Sequence, residues 1–287
     1  MEAIILVFLS SLFVTPVVAQ EPVSAIRAAR LIDGSGAPPI DDPIVLVRGD
    51  IIMAVGTAAD VSIPADAQII DLGHFTILPG LIDCHVHITG TPGDGGDTQA
   101  LRETEGHGAI HGVVNAKTTL ESGFTTIRNT GSNSYGDIAV RDMINAGVIP
   151  GPRIYVATRG LGITGGHADI NGWSPHLDLP GYAEIADGVD EVRKAVRRQV
   201  KYGADLIKVT ATGGVLSAGD AVGAQQYSFE ELVAIVEEAS RAGIKVAAHA
   251  HGASGIVDAS NAGVASIEHG SLVDDAGIEA MKANGTF

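Results

Sequence analysis

The sequence contains one cysteine, Cys84, so no internal disulfide staples the fold, and cysteine usage is silent on redox compartment. Positive charge is scarce. Eighteen Lys and Arg stand against 34 Asp and Glu, a formal net charge of −16. No Lys- or Arg-rich run offsets this locally, which argues against nucleic acid as a partner, because displacing counterions needs a basic face. Long apolar runs are missing after Val18, and none reaches the roughly 20 residues of a membrane span. The 37 glycines have no G-X-Y period and read as turn residues between many short elements. What is present is 45% hydrophobic residues with 18% charged over 287 positions, enough for one large domain, or one large and one small.

Compartment must come from the N-terminus. Ile4 to Val18 form an apolar stretch ending in Val17-Val18-Ala19-Gln20, the small-residue pattern of a signal-peptidase site. The first residues carry Glu2 and no Lys or Arg, and the stretch is short for a membrane anchor. The reading is a cleaved signal over 1–20 and a periplasmic or secreted protein with no stable span after cleavage; a retained anchor and a buried strand are the lesser alternatives.

Residues 21–78 read as a small all-β domain. Asp33-Gly34-Ser35-Gly36 and Pro38-Pro39 mark turns, and the β-rich runs Ile44–Val47 and Ile51–Val55 flank Arg48-Gly49-Asp50. Over 79–287 the texture changes to strands alternating with helices. Strands are expected at Leu81–His87, Thr125–Asn129, Arg153–Ala157, Asp205–Thr210, Lys245–His249 and Ala265–His269. Helices are expected at Thr98–Ser122, Ile138–Ala146, Glu184–Tyr202, Ser228–Ala242, Ala253–Ala262 and Asp274–Ala283. Ser228 with Glu231 makes a capping box, and Gly243 follows where a C-terminal glycine belongs. Such alternation predicts an α/β fold with a parallel sheet and right-handed crossovers. Six units are counted, whereas a closed (β/α)8 barrel needs eight over about 250 residues. The expectation is a barrel lacking its last two units; an open six-stranded sheet is the alternative.

Four strand ends carry the chemistry. In Leu81-Ile82-Asp83-Cys84-His85-Val86-His87, alternation puts Asp83, His85 and His87 on one face, so two imidazoles can grip one ion. Read alone, the pair is equally well two ordinary loop-side histidines. Lys208 lies inside the apolar run Leu206-Ile207-Lys208-Val209-Thr210. Either its stem snorkels to water, or desolvation lowers its pKa until the neutral amine can take up carbon dioxide as an anionic carbamate. Ala248-His249-Ala250-His251-Gly252 puts two more histidines on one face, and Ser266-Ile267-Glu268-His269-Gly270 ends another strand. Together they deliver a metal-type ligand set to the face where barrel active sites sit.

These segments, with Pro79-Gly80 before the first, resemble the amidohydrolase superfamily, nearest its imidazolonepropionase-like and Xaa-Pro dipeptidase-like branch, in family order from about Ile26 onward. The resemblance implies a β-sandwich fused to a TIM-type barrel and two divalent ions, Zn2+ in type, bridged by carboxylated Lys208. His85 and His87 would hold one ion and His249 and His269 the other, while His251 and His167, in Gly165-Gly166-His167, would face substrate or support the ligands. The family's eighth-strand Asp has no counterpart here, so no catalytic proton carrier is assignable.

The implied activity is hydrolysis of the C–N bond of a dipeptide or N-acyl amino acid by a metal-bridged hydroxide. The alternatives are a cyclic-amide hydrolase of imidazolonepropionase type and a secreted binding module without catalysis. A homo-oligomer is compatible with the sequence. Other motifs rank below these. Gly160–Gly165 fits G-x-G-x-x-G, but no helix opens after it. His107 and His111 have zincin spacing without the general-base Glu and read as helix-surface residues. His74 and His176 have no partners in sequence.

Overall fold

The computed structural model describes residues 21–90, 102–177, 179 and 182–287. The apolar N-terminal stretch and the start of the helix expected from Thr98 lie outside the described residues. Contacts divide the chain into two units, Met1–Pro79 and Gly80–Phe287.

The first unit is all β. Its strands are β1 (Val23–Arg27), β2 (Arg30–Leu31), β3 (Ile40–Asp41), β4 (Ile44–Arg48), β5 (Ile51–Gly56), β6 (Gln68–Asp71) and β7 (Thr76–Ile77). They form one sheet in the order β5-β4-β1-β6 and a second in the order β3-β2-β7. The β4–β5 hairpin turns at Gly49, whose φ of 59° suits a residue without Cβ. Ala25, Ile44, Leu46 and Val61 make its small core.

The second unit alternates strand and helix. Its strands are β8 (Leu81–Val86), β9 (Phe124–Asn129), β10 (Arg153–Val156), β11 (Leu161–Gly162), β12 (Glu184–Ile185), β13 (Leu206–Thr210), β14 (Lys245–Gly252) and β15 (Ser266–Leu272). The described helices are α1 (Glu105–Glu121), α2 (Gly136–Asn145), α3 (Val189–Lys201), α4 (Phe229–Arg241), α5 (Ala253–Ala262) and α6 (Asp275–Asn284). Strands β8, β9 and β10 pair in parallel, as do β11, β13, β14 and β15. Asp205, one residue before β13, joins the two groups: its N–H donates to the Val156 carbonyl (2.8 Å) and its carboxylate accepts from the Val156 N–H (2.9 Å). Beyond β15, Phe287 continues the ladder, accepting from Ile267 N–H (2.8 Å) and donating to the Ala265 carbonyl (3.0 Å).

Every residue of β13 is buried, as a strand covered on both faces requires. Ile207 and Val209 pack with Val196 of α3, Leu232 and Ile235 of α4 and Ile256 of α5, each fully buried. Burying each such side chain contributes on the order of 1.5–3 kcal/mol. A second cluster places Ile127 and Val156 against Ala116 of α1 and Val140 of α2.

Among the described residues the expected helix boundaries hold to a few residues except at the starts of α1, where Arg102, Glu103 and Thr104 are not helical, and of α3. Glu184–Ile185 pairs as β12 with β11, and Gly188 adopts a left-handed φ of 82°, so the helix cannot begin before Val189. The capping box of α4 forms as expected: Ser228 Oγ accepts from Glu231 N–H (3.3 Å), and a Glu231 carboxylate oxygen accepts from Ser228 N–H (2.8 Å). Ser228→Ala should lower the unfolding free energy by about 1 kcal/mol, and Ile235→Ala by about 2–5 kcal/mol, read from urea denaturation. An unchanged midpoint for Ser228→Ala would show that the cap contributes nothing.

Candidate active site

Strand alternation carries His85 at the end of β8 to the same side as His87, just beyond it, and the two rings lie 5.5 Å apart. Each ring is held at Nδ1, His85 by a Glu268 carboxylate oxygen at 2.7 Å and His87 by the Gly131 carbonyl at 2.9 Å. A carbonyl only accepts, so His87 carries its proton on Nδ1 and keeps the Nε2 lone pair free for a ligand.

Lys208 is 5% exposed, which rules out snorkelling to water. Burial lowers its pKa to about 8; Glu268 opposes the shift and Arg128 adds to it. His249, on β14 and 4% exposed, is lowered to about 2, by burial first and then by the neighbouring His167 and Lys208. Its Nε2 is buried with no hydrogen-bond partner. A buried polar nitrogen left unsatisfied costs about 1–3 kcal/mol, so this atom marks a place where a ligand belongs.

His269 needs special backbone. Alternation along β15 would send Glu268 and His269 to opposite faces, yet Glu268 bonds His85 and the His269 ring lies 4.8 Å from the same imidazole. The left-handed φ of 72° at His269 breaks the alternation, a conformation uncommon outside glycine. The His249 ring lies 4.6 Å from His269 and 4.7 Å from His251, whose Nδ1 meets Ser271 Oγ at 3.0 Å. His167 stacks on His249 at 4.3 Å, with its Nδ1 2.8 Å from Ser217 Oγ. All seven residues singled out in the sequence, His85, His87, His167, Lys208, His249, His251 and His269, line one cavity of about 1130 Å³.

Two residues of the cluster had no assigned role. Glu268 is 5% exposed and accepts from His85, from Ser266 Oγ (2.6 Å) and from Arg128 Nη2 (2.6 Å). Burial alone would raise its pKa, but the hydrogen bonds from His85 and Ser266 and the charge on Arg128 bring it down to about 2. Arg128, on β9, also donates through Nε to the Cys84 carbonyl (2.6 Å) and through Nη1 to Ser266 Oγ (3.0 Å). Neither stands in an apolar run as Lys208 does: β9 reads Phe124-Thr125-Thr126-Ile127-Arg128-Asn129 and β15 begins Ser266-Ile267-Glu268-His269-Gly270, so the signal that flagged Lys208 does not reach them.

Elsewhere the lesser motifs do not build sites. Leu161–Gly162 of the G-x-G-x-x-G run is strand β11, and the next helix starts only at Val189. His107 Nδ1 accepts from Thr104 N–H (3.1 Å), an N-terminal cap of α1, and His111 lies 3.7 Å from Glu103. His74 stacks on Phe75 in the first unit.

Among the described residues no three His, Cys, Asp or Glu side chains stand ready-made as a metal cage. The donor chemistry nevertheless fits divalent ions: neutral imidazoles oriented through Nδ1, a bare His249 Nε2 and a buried amine of low basicity converge on one cavity.

A strand–helix unit of TIM-barrel type with a histidine- and lysine-lined cavity defines a class, and comparison with known proteins identifies it. The amidohydrolase family pattern matches residues 76–287, and the chain belongs to that family. It is 36% identical to the ochratoxinase of Aspergillus niger over 92% of this chain and 57% of that enzyme. Among solved structures it resembles a Xaa-Pro dipeptidase with methionine bound in the active site (36% identity, TM-score 0.82, 92% of this chain and 65% of that one). It also resembles a prolidase complexed with N-methylphosphonate-L-proline (33%, TM-score 0.84, the same coverages). The chain thus spans about three fifths of the length of these relatives.

Gly214 offers a check on the placement of His167, since a Cβ there would lie 2.1 Å from the imidazole. Gly214→Ala should break the His167–Ser217 contact and shift the His167 ring signals in NMR spectra while His74 stays unmoved. Unchanged His167 signals would mean the ring does not sit against Gly214.

Proposed function

We propose that the protein hydrolyses the C–N bond of small amides, dipeptides or N-acyl amino acids, in a site built for two divalent ions of Zn2+ type. The observation that carries this reading is the unpartnered, buried His249 Nε2 in a cavity shared with Lys208 and His85, His87 and His269. The relatives' names, ochratoxinase, Xaa-Pro dipeptidase and prolidase, support the substrate class. The six βα units and the N-terminal sheets are read as parts of a (β/α)8 barrel and a β-sandwich, and the apolar N-terminus as an export signal.

His85, His87, His249 and His269 would hold the ions, with Lys208 bridging them as a carbamate. When bound, such ions supply Lewis acidity at a scissile carbonyl and acidify a water to make a nucleophile near neutral pH. Lys208 reaches its reactive form by burial. With a pKa of about 8, roughly one amine in ten is neutral at pH 7. Its lone pair attacks carbon dioxide, an N–C bond forms as one C=O electron pair moves to oxygen, and the displaced N–H proton leaves to solvent. His87 is oriented by Gly131 toward its ion, while His251 and His167, with Nδ1 against Ser271 and Ser217, would meet the substrate's carbonyl or carboxylate through their outer nitrogens.

Elemental analysis should find two ions per chain in the native protein and at most one in Lys208→Ala, with hydrolysis of Xaa-Pro dipeptides or N-acyl amino acids lost on chelation. One ion in the native protein would favour a cyclic-amide hydrolase; two ions in Lys208→Ala would sink the bridging role.

The pH dependence follows from the low pKa of Lys208. The neutral amine grows as pH rises through about 8, so metal uptake by metal-free protein in bicarbonate should increase from pH 7 to 9. Without bicarbonate that increase should be absent. Uptake that ignores both variables would exclude the carbamate.

A further inference from the structure

Beneath the cavity, three strands meet on one carboxylate. Glu268 of β15 takes His85 Nδ1 of β8 at 2.7 Å on one oxygen, and Arg128 Nη2 of β9 and its own strand's Ser266 Oγ, both at 2.6 Å, on the other. Arg128 is itself fixed, because its Nε donates to the Cys84 carbonyl next to His85 and its Nη1 to Ser266 Oγ. Glu268 is 5% exposed, so solvent has little access to these oxygens.

We propose that Glu268, braced by Arg128 and Ser266, is a positioning residue that fixes His85 in its Nδ1–H form and so keeps the Nε2 lone pair available to a divalent cation. An ionised carboxylate can only accept, so the 2.7 Å contact requires the proton on Nδ1. The same contact sets the plane of the ring. Among the described residues no other hydrogen bond of the His85 side chain would choose between the two neutral forms. Arg128 does for Glu268 what Glu268 does for His85: its two-point hold on Cys84 and Ser266 aims the third donor at one carboxylate oxygen and leaves the other for the imidazole. The inference rests on reading His85 as a metal ligand.

The test is Glu268→Gln, which keeps shape but puts an amide NH2 within reach of His85 Nδ1. In the metal-free chain at pH 8, 15N–1H correlation spectra of the histidine rings should show His85 as Nδ1–H in the native protein and as Nε2–H in Glu268→Gln. Zn2+ affinity, measured by competition with a chromophoric chelator, should fall about 10–100-fold in Glu268→Gln. Ser266→Ala, which leaves the His85 contact in place, should keep the Nδ1–H form and lose less than about threefold, well short of the effect expected for an orienting partner.

Native His85 found as Nε2–H overturns the proposal by itself, and that measurement stands whether or not Glu268→Gln folds. Native-like Zn2+ affinity in a folded Glu268→Gln overturns it as well. A native chain that shows Nδ1–H on His85 yet takes up no Zn2+ refutes the metal reading of the site instead, which keeps the two failures apart.

Discussion

Burying nitrogen bases without matching them charge for charge is the constraint from which the rest of the site follows. His249 and Lys208 sit where ionisation is costly, and both are pushed toward their neutral forms. Crowding enforces the same choice. The rings of His85, His249, His251 and His269 lie 4.6–5.0 Å from their nearest neighbours in the cluster, so protonating any adjacent two would place like charges about 5 Å apart. At an effective dielectric near 20 that repulsion is worth about 3 kcal/mol. His249 and Lys208 therefore offer lone pairs rather than charges, and the rings of His85, His87, His167 and His251 are each held by a partner at Nδ1. The left-handed backbone at His269 and the unsatisfied His249 nitrogen are local costs of the kind that gather at functional sites.

Much of this was legible in the sequence, because the signals were local. Alternation within Asp83-Cys84-His85-Val86-His87 places both imidazoles on one face, and the run around Lys208 betrays a lysine in an apolar strand. The Ser228–Glu231 capping box is a spacing of three residues and forms as read. What escaped was non-local or conformational. Glu268 acquires its meaning from His85, 183 residues away, and from Arg128, 140 residues away, and no pattern along the chain couples such positions. The left-handed turn of His269 breaks the period-two rule on which the face assignment depends, and it is invisible until the backbone is seen. Strand β11 hides in a glycine-rich stretch that composition reads as loop, and it in turn diverts Glu184 from helix to strand.

The loops over the cavity obey a different logic, that of close approach. Gly252 lies so near the Gly223 carbonyl that a Cβ would come within 2.1 Å of it, and Gly214 is pressed against the His167 ring. Asp220 knits the same segment by accepting from Gly214 N–H and from Gln226 Nε2, each at 3.1 Å, while Gln226 Oε1 accepts from His167 N–H at 3.2 Å. The glycines allow backbone to rest on backbone, and the polar side chains then fix one register, so His167 is delivered to His249 by packing that a larger residue would undo.

Fold and site share one interaction between the edge strands of two sheets. Strands β8 and β15 do not pair with each other, so no backbone ladder sets their separation among the described residues. The carboxylate of Glu268 does so instead, since its donors come from β8, β9 and β15. A buried carboxylate deprived of a partner costs several kcal/mol, far more than a surface ion pair returns. Moving β15 away from β8 would therefore strip Glu268 of both His85 and Arg128 and release His85 from its orientation in the same step. Because each member is satisfied only when the others are in place, the arrangement is cooperative. The contact that orients the His85 ring is thus also one that ties β8 to β15.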